Sequence, residues 1–194
     1  MEELKPVVFL DRDGVLCKEK SYVKSPGDLE IFPFARKAVE LIKKSGYVPV
    51  VITNQSGVAR GYFSEAALVK MNTLLQQETQ VDAIYYCPHY PPGENEREEK
   101  PYRIVCQCRK PNRGLMDKAA KELDLDLGRA FFVGDRASDI QAGEQIGAVT
   151  VLLESGYGSE RLERSVKPDL KFNDLMAFAQ YLYHNTSGEK GNAL

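Results

Sequence analysis

Short apolar runs that stop at polar residues alternate along the chain with stretches whose apolar residues recur every three or four positions. "VVFL" (Val7 to Leu10) breaks off at "DRDG", "YVPVVIT" (Tyr47 to Thr53) at "NQSG", and "AFFVGD" (Ala130 to Asp135) ends in Gly-Asp. With "DAIYYC" (Asp82 to Cys87) and "VTVLL" (Val149 to Leu153) they predict five strands. A helix is predicted from about Phe34 to Ser45, with Ala35, Ala38, Val39, Leu41 and Ile42 on its apolar face and Gly46 as its stop. Ser64 is placed to N-cap a second helix reaching about Gln77. Further helices are predicted near Gly114 to Leu123 and Ser138 to Ile146, and one capped by Asn173 runs to about Tyr183.

Alternating strands and helices predict an α/β fold, a mostly parallel sheet with helices on both faces. Right-handed crossovers bring the parallel strand ends to one edge, and ligands sit beyond that edge. Asp11 and Asp13, Thr53 and Asn54, and Asp135 each follow a strand, so they are expected to converge. Pro88 to Pro111 has no steady period and reads as a long loop, a kind that is usually functional or tied down by something. A single domain is expected over 1–184, with 185–194 as a frayed tail.

The composition narrows the partners. Net charge is -2 over 194 residues, which speaks against the broad basic surface of a nucleic-acid binder. Tyr85 and Tyr86 lie in an apolar strand, where packing is the expected role. The chain shows neither the cationic start and apolar core of a secretory signal nor an apolar run long enough for a bilayer, so a cytoplasmic, membrane-free protein is expected, with a monomer as the default.

Two aspartates at i and i+2 after a buried strand would repel each other in a tight site, so a cation is expected to join Asp11 and Asp13. Magnesium suits carboxylate and carbonyl oxygens with room for a phosphate, and Asp135 can add a third oxygen. Taken alone, Asp11-Arg12-Asp13 also reads as a solvated turn. Cys87, His89, Cys106 and Cys108 form C-x-H followed by C-x-C, a closed three-sulfur, one-imidazole set of the kind that holds structural zinc. A disulfide from Cys87, or thiols acting as small apolar groups, remain open on spacing alone. Cys17 is expected to be a packed residue outside this set, and His184 to be solvated.

"FLDRDGVL", "VVITNQSG", "CRKP" and "FVGDRASD" resemble, in order and spacing, the four signature motifs of the haloacid dehalogenase (HAD) superfamily of aspartate-dependent phosphatases. The resemblance spans about Val7 to Gly158. It implies a HAD-like Rossmannoid three-layer sandwich with a mostly parallel central sheet, no large cap domain and a zinc-binding loop at 87–108. Asp11 is then the nucleophile, Asp13 the acid and base, and Thr53 and Lys110 the donors to the transferring phosphoryl. The Asp11 carboxylate, the Asp13 carbonyl and the Asp135 carboxylate hold magnesium.

The cysteine loop resembles the zinc loop of the heptose bisphosphate and histidinol-phosphate phosphatases, and "NQSGVARGYF" resembles the substrate loop of the former. The implied ligand is a small sugar phosphate, met by Arg12, Glu19, Lys20, Ser21, Tyr22, Asn54, Gln55, Ser56, Arg60, Arg109 and Arg136. Arg109 is the expected anchor for a second phosphate. Arg136 stands where lysine is usual in the heptose branch, and "GDRASDIQ" looks more like the histidinol-phosphate branch, which is the alternative reading. Tyr90 stands where a second histidine is common. A non-catalytic zinc-stabilised module would be expected to lack one of the chemical positions, and all are present.

Overall fold

The computed structural model describes residues 3–20, 22–93, 101–156 and 166–188. Its strands are β1 (Lys5–Leu10), β2 (Val48–Asn54), β3 (Ala83–Cys87), β4 (Leu125–Gly134), β5 (Val149–Leu153) and β6 (Leu170–Phe172), and its helices α1 (Ala35–Lys44), α2 (Glu65–Thr79), α3 (Gly114–Leu123), α4 (Ala137–Gln145) and α5 (Leu175–Gly188). All six strands pair in parallel, in the order β3-β2-β1-β4-β5-β6.

The two-residue alternation of β1 explains the layers. Val8 and Leu10 point into one core with α1 and α5, to which α2 adds Leu75, whereas Val7 and Phe9 point into the other with Leu115, Met116 and Ala119 of α3 and Ala142 of α4. β1 is buried on both faces, which is why it reads as an unbroken apolar run. The chain leaves β3 at one edge and re-enters at β4 beyond β1, so the winding reverses beside β1, and the groove above that point is where this architecture takes ligands. No large cap domain interrupts the described residues.

Ser64 caps α2 as expected, its hydroxyl accepting from Ala67 N at 3.1 Å. Three expectations are corrected. β4 begins at Leu125 rather than Ala130, because its pairing with β1 slips across 126–130 in a bulge held by Gly128 N to Asp126 Oδ1 at 2.9 Å. The last helix is capped by Asp174, whose Oδ1 accepts from Ala177 N at 2.9 Å, not by Asn173, and it runs to Gly188, into the segment expected to fray. β6 has three residues and no alternation that marks it in the sequence.

Candidate active site

Three strand ends do converge. Asp11 follows β1, Thr53 and Asn54 close β2, and Asp135 follows β4. Asp11, Asp135 and Asp139 are buried and bring carboxylate oxygens within 4.8 Å of one another. Lys110 is 3% exposed and enters from the loop after β3, with Nζ 2.9 Å from Asp11 Oδ1 and 2.6 Å from Asp139 Oδ1. Burial opposes the charge of Lys110, yet the two carboxylates outweigh it and hold the ammonium above its ordinary pKa. Asp139 behaves oppositely: burial, helped by the charge of Asp11 and resisted by Lys110, pushes its carboxyl up to about 6. Three buried carboxylates face two cations, Lys110 beside Asp11 and Asp139 and Arg136 with Nε 3.9 Å from Asp135 Oδ1, and the remaining negative charge is the condition a divalent cation relieves.

Asp139 was absent from the residues singled out in the sequence. Its other oxygen accepts from Asp135 N (3.2 Å) and Arg136 N (3.0 Å), closing the first turn of α4, so one carboxylate both caps the helix and faces Lys110. Its place four residues after Asp135, on the first turn of a helix that starts at a strand end, was the available signal. Two glycines shape the space around Asp135. Gly14 has φ +81, and a methyl there would sit 2.4 Å from Asp135 Oδ2; at Gly156 it would sit 2.0 Å away.

Asp13 is gripped by Arg12 Nε (3.0 Å) and Nη2 (2.9 Å), by Gln55 Nε2 (2.8 Å) and by the Cys17 thiol (3.4 Å). Burial works to raise its pKa, but the Arg12 charge and these donors outweigh it and hold Asp13 below the usual carboxylate range. Arg12 is itself buried and also reaches Asn72 Oδ1 at 3.3 Å, so it is built into the floor. Gln55 Nε2 also donates to Thr53 Oγ1 at 3.0 Å, linking two of the converging strand ends. Cys17 is a buried packing residue, its thiol pushed up by burial first and by Asp13 second.

Asn54, expected among the substrate contacts, commits both amide atoms to Lys110: Nδ2 donates to its carbonyl at 3.1 Å and Oδ1 accepts from its N–H at 3.0 Å. The cleft above this floor is also lined by Glu19, Tyr22, Ser56, Phe63, Arg109, Arg136 and Ser138. Arg136 Nη2 bonds Glu19 Oε2 at 2.8 Å. Lys20 turns aside to Glu30 (3.1 Å) and the Asp28 carbonyl (3.2 Å) and does not line the cleft. Arg60 lies over the Tyr90 ring, and Ser21 falls outside the described residues.

Cys87, His89, Cys106 and Cys108 form one cluster able to hold a metal ion. Cys108 Sγ lies 3.2 Å from Cys106 Sγ, from Cys87 Sγ and from His89 Nδ1, and Cys87 Sγ lies 3.6 Å from Cys106 Sγ. These separations exceed a disulfide bond of about 2.05 Å by more than an ångström, and all four cysteines are free. The knuckle is bound to its surroundings: Asn112 Nδ2 donates to Cys106 O at 2.8 Å, Gly114 N to Gln107 O at 3.0 Å, and Arg109 Nη1 to His89 O at 3.2 Å.

A family model described as HAD-hydrolase-like matches residues 107–178. The chain is 38% identical over 184 residues to the D-glycero-beta-D-manno-heptose-1,7-bisphosphate 7-phosphatase of Haemophilus ducreyi, covering 92% of this chain and 98% of that one. It is 37% identical over 173 residues to the protein of the same name from Escherichia coli K12, covering 87% and 84%. Among solved structures, the D,D-heptose 1,7-bisphosphate phosphatase of B. bronchiseptica, complexed with magnesium and phosphate, matches with a TM-score of 0.78 and 32% identity over 93% of this chain and 99% of that one. The corresponding phosphatase of Burkholderia thailandensis matches with a TM-score of 0.65 and 27% identity over 91% and 97%.

Proposed function

The chain belongs to the HAD-like phosphatases, in the branch of the D-glycero-beta-D-manno-heptose-1,7-bisphosphate 7-phosphatases, and from that premise we propose that it removes the 7-phosphate of a heptose 1,7-bisphosphate. The observation that carries this reading is the buried Asp11-Lys110-Asp139 array under a cleft walled by Arg109, joined to the likeness over nearly the whole chain.

An Asp11 carboxylate oxygen attacks phosphorus and the bond from phosphorus to the substrate's C7 oxygen breaks; Asp13, which Arg12 and Gln55 keep ionised in the free site, gains a proton as the negative charge of the phosphate enters beside it and passes that proton to the leaving oxygen. Asp13, ionised again, then takes a proton from water. The resulting hydroxide attacks phosphorus and frees Asp11, with inorganic phosphate leaving. The Lys110 ammonium, fixed within 2.9 Å of Asp11, meets the charge on the phosphoryl oxygens, and Thr53 offers its hydroxyl to the same group. Arg109 takes the phosphate that remains on C1.

Asp11, the Asp13 carbonyl and Asp135 would hold Mg2+, and the all-oxygen, carboxylate-rich surroundings with surplus negative charge fit that ion. When bound it offsets repulsion between the nucleophile and a phosphate dianion. The closed set Cys87, His89, Cys106 and Cys108 fits Zn2+ in a structural role, and a reducing cytoplasm suits three thiols kept available for metal.

The product, a heptose 1-phosphate, is what a nucleotidyl transfer toward glycan precursors consumes. The test is phosphate release from heptose 1,7-bisphosphate and histidinol phosphate side by side, with Asp11→Asn as the inactive control. A preference for histidinol phosphate would overturn the substrate, and activity surviving in Asp11→Asn would overturn the nucleophile.

A further inference from the structure

Tyr90 plays no part in the mechanism above, yet three guanidinium groups gather on its ring. The central carbon of Arg60 lies 4.0 Å from the ring centroid, that of Arg109 5.1 Å and that of Arg103 5.4 Å. Arg60 comes from the loop between β2 and α2, whose Ser56, Gly57 and Phe63 line the cleft, whereas Arg103 and Arg109 flank the cysteine knuckle, so one aromatic ring joins two loops that border the cleft. The ring is itself held: Tyr90 N donates to Tyr102 O at 3.0 Å, and the Tyr102 hydroxyl donates to Glu65 Oε2 on α2 at 2.6 Å.

A π face attracts each cation but does nothing about the repulsion among them, so such a group is completed by an anion. Arg60 Nε is buried with no hydrogen-bond partner among the described residues. Arg109 lines the cleft, and its bond to His89 O uses one of its five N–H donors.

We propose that Tyr90 is a positioning residue: its ring holds Arg60 and Arg109 together at the rim so that both meet the phosphate that the reaction leaves in place. The inference rests on the bisphosphate reading of the site. A long arginine on a free loop loses rotamer entropy on binding an anion, and a ring that orders it beforehand removes that loss from the binding step. Tyr90 therefore acts on substrate preference rather than on the chemistry at Asp11.

The measurement is the ratio of kcat/KM for heptose 1,7-bisphosphate to that for heptose 7-phosphate, with zinc content determined on each protein. Tyr90→Leu lowers this ratio by about tenfold, equivalent to about 1.4 kcal/mol, mainly through a higher KM for the bisphosphate. Tyr90→Phe, which keeps the face, restores it. Arg60→Gln, outside the zinc loop, lowers it comparably and stands in for Tyr90→Leu if that variant loses zinc. If the wild-type enzyme prefers the bisphosphate and either Tyr90→Leu with full zinc content or Arg60→Gln keeps that preference, the role of Tyr90 is overturned while the proposed function stands. If the wild-type enzyme shows no preference for the second phosphate, the bisphosphate reading falls and this inference with it.

Discussion

Replacing Asn54 by alanine tests whether the aim of Lys110 is set by the main chain that carries it. The Asn54 amide holds both the N–H and the carbonyl of Lys110, at 3.0 and 3.1 Å. Removing it strands two main-chain groups of a residue that is 3% exposed. Each unsatisfied group costs about 1 kcal/mol where water can partly reach it, so the pair costs about 2 kcal/mol. In a chain of this size that lowers the melting midpoint by about 4–8 °C. The effect on rate is larger than the effect on stability suggests. Lys110 Nζ sits 2.9 Å from Asp11 and 2.6 Å from Asp139, and a displacement on the order of 1 Å in such an array costs about 10²-fold in rate. Phosphate-release kinetics and thermal denaturation on the same protein check both. A variant that melts earlier but keeps kcat/KM within about threefold of wild type would refute the reasoning, because Lys110 would then be aimed by its carboxylate partners alone.

Chelating the metal from the Cys87, His89, Cys106 and Cys108 cluster lowers kcat/KM by about tenfold or more through Arg109 and Lys110, while a magnesium titration of the treated protein stays near the untreated one. Full activity after verified metal loss would disconnect the cluster from the site. Gly156→Ala drives a methyl toward Asp135 Oδ2, which it would meet at 2.0 Å, and raises the magnesium concentration for half-maximal activity by about tenfold; an unchanged requirement would remove Asp135 from the ion's surroundings. Asp169 accepts from the Thr150 amide at 2.8 Å and its hydroxyl at 2.7 Å, and these bonds hold its carboxyl below the usual range. Its stabilising effect is therefore present above the unfolded carboxylate pKa and is lost as pH falls through the lower native value. Asp169 is exposed, so solvent screening leaves Asp169→Ala a cost of only about 0.5 kcal/mol at neutral pH, and denaturant titrations should show the gap to wild type closing in acid.

Much of the sheet was legible because β1, β2 and β5 are buried on both faces and read as β-branched runs with abrupt polar ends. The convergence of Asp11, Thr53 and Asp135 followed from parallel topology alone. β6 and the first half of β4 were not legible: a three-residue edge strand has no period, and Leu125 to Arg129 is interrupted by a bulge with glycine in it. In the site, the residue types were readable and the pairings were not. Asn54 follows a strand and looks like a ligand-facing amide, but only the return of the chain at Lys110, 56 positions later, shows what it binds. Lys20, drawn to Glu30, illustrates the same limit, since an adjacent carboxylate decides which way a loop lysine turns.

In the β2–β3 register Asn54 stands opposite Cys87, so the clamp on Lys110 and the first metal ligand are cross-strand neighbours. This couples the loop's closure to the pairing of β2 with β3. Cys87 and His89 sit at the end of an edge strand and Cys106 and Cys108 on the far side of a long loop, and closing that loop is unfavourable until β3 has docked. A metal ion taken up by the four residues would fasten the loop that carries Lys110 to its Asn54 clamp. Such an ion would act as a latch on the loop alone, steadying Arg109 and Lys110 while the sheet beneath stays with its two apolar cores.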